Sequence, residues 1–287
     1  MSVAAGLATW ILPLVATAAT PTTPAAAGPP ASVTWETIAP GAERATLTAS
    51  GPSQVLLFRF DLERFRAEVV VGKGTPPHPR TAAELRQGRG AIAAVNGGFF
   101  DEHVVPLGLR IASGDQRFPL RPKNDWGVLV LGNHRARIIH TREYPRNTGT
   151  TPPAPGPASP SAVALPAPID GAIQVGPRLL VGGQPVKLRA QSARRTAVAV
   201  DRDGRALTLV VADAPIDAGE LATALGDLGF DAAMMLDGGP STQLSLALGD
   251  AHVDIAGVYP VPDLLAIFTR APPHRAPAPP PRPAPSR

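Results

Sequence analysis

Apolar residues recur along this chain in short runs of strand length rather than in long helical stripes. Seven runs are mainly apolar or β-branched: Val55–Phe60, Ala67–Val71, Ala91–Val95, Gly127–Leu131, Thr196–Val200, Leu207–Val211 and Leu264–Phe268. Asp201-Arg202-Asp203-Gly204 joins two of them and reads as a hairpin turn. An Asp-x-Asp-Gly also opens calcium loops, but the later carboxylates such a loop needs are missing. Two helices are expected. Thr81-Ala-Ala-Glu84 is a capping box that starts a short one. A second runs from about Ala218 to Leu228, with Leu221, Ala224, Leu225 and Leu228 on one face and Gly229 as its stop. Strands outnumber helices and do not alternate with them, which predicts an α+β fold with many short strands in mixed sheets and few helices.

Proline divides the chain. Residues 20–31, 145–168 and 272–287 are Pro-rich, and the chain holds 35 prolines and 28 glycines in 287 residues. Residues 20–31 read as a linker and the final stretch as a polyproline-like tail with no means of building a core. Pro145 to Pro168 either separates two domains or forms a long surface loop, and motifs on both sides of it favour the loop. Ahead of the linker, residues 1–19 carry no charge, and the first charged side chain is Glu36. Val3 to Ala19 is broken by Pro13 and lacks a basic flank, so it is short for a membrane-spanning helix. Ala16-Thr17-Ala18 has the small-x-small form that signal peptidase cleaves. Export to the periplasm or beyond is expected, with an uncleaved membrane anchor as the alternative.

Composition excludes several chemistries. There is no cysteine, so disulfides, thiol nucleophiles, Cys-zinc sites and a lipoprotein anchor are all absent. The formal net charge is +4, but Arg275, Arg282 and Arg287 in the tail account for three of those charges. The nearly neutral remainder carries no footprint for nucleic acid. Phosphate-loop, dinucleotide, zincin and nucleophile-elbow signatures are missing, and no two histidines have helix-face metal spacing. No cofactor or metal is implied.

Two segments carry the chemistry that remains. Ala91 to Val95 runs into Asn96-Gly97-Gly98-Phe99-Phe100-Asp101, and Met234-Met235-Leu236 runs into Asp237-Gly238-Gly239-Pro240-Ser241-Thr242. Each is an apolar strand ending in one polar side chain and paired glycines. Glycine lets backbone approach a ligand and exposes N–H groups to an anion, a rim suited to a phosphate or a sugar. Arg194-Arg195 at the start of another strand offers guanidinium groups able to grip phosphate oxygens.

Asn96-Gly-Gly-Phe-Phe, Gly176-Pro-Arg-Leu-Leu, Arg195-Thr-Ala-Val and Leu236-Asp-Gly-Gly-Pro-Ser-Thr, in that order, resemble the motifs of the phosphodiester glycosidase family. The resemblance spans roughly residues 50–270 and implies one domain over 32–270, with 145–168 as an insertion. Pro240 is a departure, standing where many members carry a third glycine. The resemblance implies cleavage of a sugar C1–O bond with phosphate leaving, on an N-acetylglucosamine-like sugar. It places Asp237 as base or nucleophile, Arg195 on the phosphate and Asn96 on the sugar. Gly97, Gly98, Gly238, Gly239, Ser241, Thr242 and Asp101 would line the site. Two other readings remain: a non-catalytic module binding phosphoglycans, and a serine hydrolase acting through Ser241.

Overall fold

The computed structural model describes residues 31–48, 54–145 and 165–270. The expected signal segment, most of the linker, the centre of the Pro-rich insertion and the C-terminal tail lie outside these residues. Three sheets and two α-helices make up the fold. The first sheet has eight strands, in the order Glu36–Ala39, Ala42–Thr48, Gln54–Asp61, Ala206–Asp217, Ser192–Val200, Ala232–Met235, Arg178–Val181 and Gln184–Pro185. The second runs Asp115–Phe118, Arg110–Ala112, Gly171–Val175, Gly127–Gly132 and Arg135–His140. The third runs Ala251–Ile255, Leu244–Leu248, Ala93–Asn96, Asp263–Thr269 and Phe65–Val71.

Every pairing in these sheets is antiparallel. This corrects the expectation of mixed sheets in an α+β fold: the protein is predominantly β. The two helices cover sheet faces and serve no crossover between parallel strands, which is the role a mixed sheet would have given them. The principal core lies among all three sheets. Phe58, Phe60 and Leu209 from the first meet Leu129 and Ile173 from the second and Val95, Leu265 and Ile267 from the third.

The helices form where the sequence predicts. In α1 (Ala82–Arg89) the Thr81 hydroxyl accepts from the Glu84 amide, and the Glu84 carboxylate accepts from the Thr81 amide. Leu85 and Ala82 pack it on the outer face of the third sheet, against Leu264 and Ala266. In α2 (Ala218–Asp227) the cap is Asp217, which accepts from the Gly219 and Glu220 amides, and Leu221 and Leu225 are fully buried. Gly229 takes φ +82° just after it, the left-handed stop that glycine supplies most readily. No helix among the described residues is long and apolar enough to cross a membrane.

Candidate active site

Strands Ala93–Asn96 and Ala232–Met235 are buried along their whole length, which is why both read as unbroken apolar runs. They belong to different sheets, and their polar ends meet. The Asp237 amide donates to the Gly97 carbonyl at 3.0 Å, and Asn96 Nδ2 donates to the Asp237 carbonyl at 2.7 Å. Asn96 Oδ1 accepts from Thr196 Oγ1 at 2.7 Å and from the Gln243 amide at 3.2 Å. Asn96 therefore ties four segments together around Asp237.

Asp237 itself is half-buried. One carboxylate oxygen accepts from the Gly238 amide at 2.9 Å, and the other from Ser241 Oγ at 2.6 Å. Burial pushes its carboxyl above the ordinary value, with the nearby Asp263 charge adding to the rise. The Ser241 and Gly238 hydrogen bonds and the Arg110 charge pull in the opposite direction. The outcome is a carboxylate held in one orientation, with a lone pair on each oxygen beyond its protein contacts.

Behind Asp237 lies a pair that the sequence did not flag. Arg110 Nε donates to Asp263 Oδ2 at 2.9 Å, and both side chains are wholly buried. Arg110 also donates to the carbonyls of Leu109, Gln174 and Phe99, while Asp263 Oδ1 accepts from the Gly98 amide at 2.9 Å. This pair explains the double glycine. A Cβ on Gly97 would stand 1.7 Å from Asp263 Oδ1, and one on Gly98 would stand 2.3 Å from Arg110 Nη2. Only glycine leaves room for the ion pair at either position.

The other expected site residues stand in different surroundings. Asn96, Gly97 and Gly98 are buried and hydrogen-bond to protein around Asp237. Thr242 is also fully buried, its hydroxyl without a partner. Arg195 is 8% exposed, and its guanidinium donates to the carbonyls of Gln191 and Ile216 rather than facing outward. The pairing between strands Ser192–Val200 and Ala206–Asp217 shifts register between Ala193 and Arg195. Burial lowers its pKa, with Asp217 opposing. Asp101 Oδ1 caps its own loop, accepting from the amides of His103 and Val105. Gly238 and Gly239 remain partly exposed beside Asp237. Ser241 Oγ meets a carboxylate and, at 3.5 Å, the Tyr259 hydroxyl. It makes no hydrogen bond to an imidazole, so the serine-hydrolase reading lacks its base.

Tyr259, Gln243, Arg110 and Asp263 are the residues that sequence reasoning missed. Asp263 alone gave a signal, a carboxylate heading the apolar run Leu264–Phe268. Tyr259 is 40% exposed and packs edge-on against Phe100 with centroids 6.0 Å apart. Gln243 Oε1 accepts from the Ala82 amide and its Nε2 donates to the Ser241 carbonyl, joining α1 to the Asp237 turn.

Comparison with solved structures shows the fold to be shared at low identity. A Synechocystis protein aligns with TM-score 0.58 and 16% identity over 86% of this chain and 65% of its own, so this chain spans just under two thirds of that protein. The catalytic domain of zebrafish N-acetylglucosamine-1-phosphodiester alpha-N-acetylglucosaminidase, auto-inhibited by its pro-peptide, aligns with TM-score 0.52 and 18% identity. That alignment covers 84% of this chain and 82% of the zebrafish one. A Burkholderia pseudomallei protein aligns with TM-score 0.54 and 16% identity over 76% and 74%. No curated protein matches the sequence. The phosphodiester glycosidase family model matches residues 89–268, a span that holds Asn96, Arg110, Arg195, Asp237 and Asp263. With well over half of its length matched by that model, this chain belongs to the phosphodiester glycosidase family.

Proposed function

We propose that the protein hydrolyses the glycosidic bond of a sugar-1-phosphodiester, an N-acetylglucosamine-like sugar with phosphate as the leaving group, on exported or envelope glycans. The observation that carries this reading is Asp237, a partly accessible carboxylate with a raised pKa where two glycine-flanked strand ends meet. A general base works best with its pKa near the operating pH, and burial moves Asp237 that way. In the reaction a water oxygen bonds to the anomeric carbon while Asp237 accepts the water proton. The C1–O bond breaks and its electron pair leaves on the phosphate oxygen. Phosphate is a far better leaving group than a sugar alcohol, so a second carboxylic acid to protonate it is not required. That fits a site whose neighbouring carboxylate, Asp263, is sealed inside an ion pair. The apolar run from Val3 to Ala19 with its small-x-small Ala16-Thr17-Ala18 supports export.

A second reading is a phosphoglycan-binding module with no turnover, in which Asp237 contacts ligand without activating water. One assay separates the two. The full chain is incubated with UDP-N-acetylglucosamine, with and without EDTA, and free sugar is scored against Asp237→Ala. Sugar released by the unaltered protein alone supports hydrolysis, whereas binding without release supports the module.

A further inference from the structure

A phosphate-bearing substrate needs cations, and three arginines packed around the Asp237 turn are already engaged. Arg195 is spent on backbone carbonyls, Arg110 on Asp263, and Arg194 on Asp213 and the Ala256 carbonyl. Other cations occupy the same sheet edge. In the third sheet Asn96 lies opposite Leu264, and Asp263 opposite Val71. The segment that follows Val71 therefore emerges at the end of the sheet where Asn96 stands, two strand spacings or about 10 Å away.

There a cleft of about 110 Å³ opens, lined by Lys73, His78, Arg80 and Arg89 over an apolar floor that includes Leu85 and Val261. That is well beyond the roughly 15 Å³ a single water occupies on this measure. Arg89 is paired with Glu68 at 3.3 Å, and Glu84 lies within electrostatic range of Arg80 and His78. Among the described residues neither Lys73 nor Arg80 has a carboxylate within ion-pair distance. Unpaired cations over low-dielectric walls concentrate positive potential inside a cleft. One short stretch of chain joins this cleft to the candidate active site. Tyr259 faces Ser241, Val261 and Pro262 line the cleft, and Asp263 backs Asp237.

We propose that the Lys73–His78–Arg80 cleft is a phosphate subsite that holds a phosphate group of an extended phosphoglycan some distance from the scissile bond. The inference rests on the glycosidase reading for its substrate, but its test needs no turnover. Inorganic phosphate is titrated calorimetrically into the full-length protein, into a Lys73→Ala/Arg80→Ala double variant, and into Asp237→Asn. Lys73 is exposed and Arg80 half-buried, and a thermal melt checks that the double variant folds. The expected result is phosphate binding weakened at least 10-fold in the double variant and unchanged in Asp237→Asn. Equal binding in the double variant, or none by the unaltered protein, would overturn the subsite. A glycerol-phosphate oligomer forms the second arm. Binding at least 10-fold tighter than the free ion identifies a substrate phosphate as the occupant, and binding no tighter overturns that assignment. Failure of the glycosidase reading shows up separately, as absent sugar release with phosphate binding intact.

Discussion

Replacing Asp263 by asparagine removes one charge and almost no volume. The new amide still offers an oxygen to the Gly98 amide, but its nitrogen then faces Arg110 Nε, donor against donor. Arg110 would be left charged and wholly buried, with only the carbonyls of Leu109, Gln174 and Phe99 around it. Breaking one side of a buried ion pair costs about 3–5 kcal/mol. For a domain of this size each kcal/mol lowers Tm by about 2–4 °C, so the expected fall is about 6–20 °C. Thermal and denaturant melts of Asp263→Asn, Arg110→Met and the double variant give the coupling between the two side chains. That coupling should be about 2–3 kcal/mol, because removing both charges relieves what removing one creates. A single-variant loss below about 1 kcal/mol, or no coupling, refutes the buried pair as a stabilising contact. The same variant moves a second observable. Asp263 helps raise the Asp237 pKa and the Arg110 charge opposes it, so without the Asp263 charge the Asp237 pKa falls. If ionised Asp237 is the base, the acid limb of the rate profile shifts to lower pH.

Other expectations follow from the same contacts. Ser241→Ala deletes the donor on the second Asp237 oxygen, so the Asp237 pKa should rise further; the acid limb moves to higher pH, and sugar release falls about 10-fold or more at low pH. Asp237→Asn should cut sugar release at least about 1,000-fold while Tm at neutral pH stays the same or rises. A folded pKa above the unfolded value near 3.9 means that stability is lost as pH climbs from there through the folded pKa, and the neutral amide escapes that loss. Asn96→Ala strands the Thr196 hydroxyl and the Gln243 amide without their acceptor and should cost about 2–4 kcal/mol in a denaturant melt. A melt unchanged from the unaltered protein would refute that structural role for Asn96. Thr81→Ala should cost about 1 kcal/mol through its lost cap, with no change in KM.

What the sequence made legible was local. The strand runs, the Asp201–Gly204 turn, the capping box at Thr81 and the stop at Gly229 are decided by residues within a few positions of one another, and each formed as read. The two polar strand ends were also visible, because Asn96 and Asp237 terminate apolar runs. Their division of labour was not. Asn96 and Asp237 are 141 residues apart, and Arg110 and Asp263 are 153 apart, so nothing local tells which polar group is sealed and which is presented. Arg195 illustrates the difficulty. An arginine at a strand start looks available for phosphate, but its guanidinium donates to backbone carbonyls, Ile216 among them, that are set by a pairing with a distant strand. Sheet direction was hidden for the same reason, since it depends on which distant strands become neighbours.

The pairing order of the third sheet also sets a schedule for the protein's synthesis. Strand Ala93–Asn96 finds both of its neighbours, Leu244–Leu248 and Asp263–Thr269, more than 140 residues downstream. Until the last strand is available, Asn96 has no finished sheet from which to reach Asp237, and Arg110 has no carboxylate. A chain emerging from a ribosome therefore carries its candidate nucleophile or base unassembled almost to the end. A ladder dominated by such distant partners closes slowly, and the long wait leaves unpaired strand edges open to wrong partners. A truncation before residue 263 should accordingly yield an inactive, aggregation-prone product rather than a weakened enzyme.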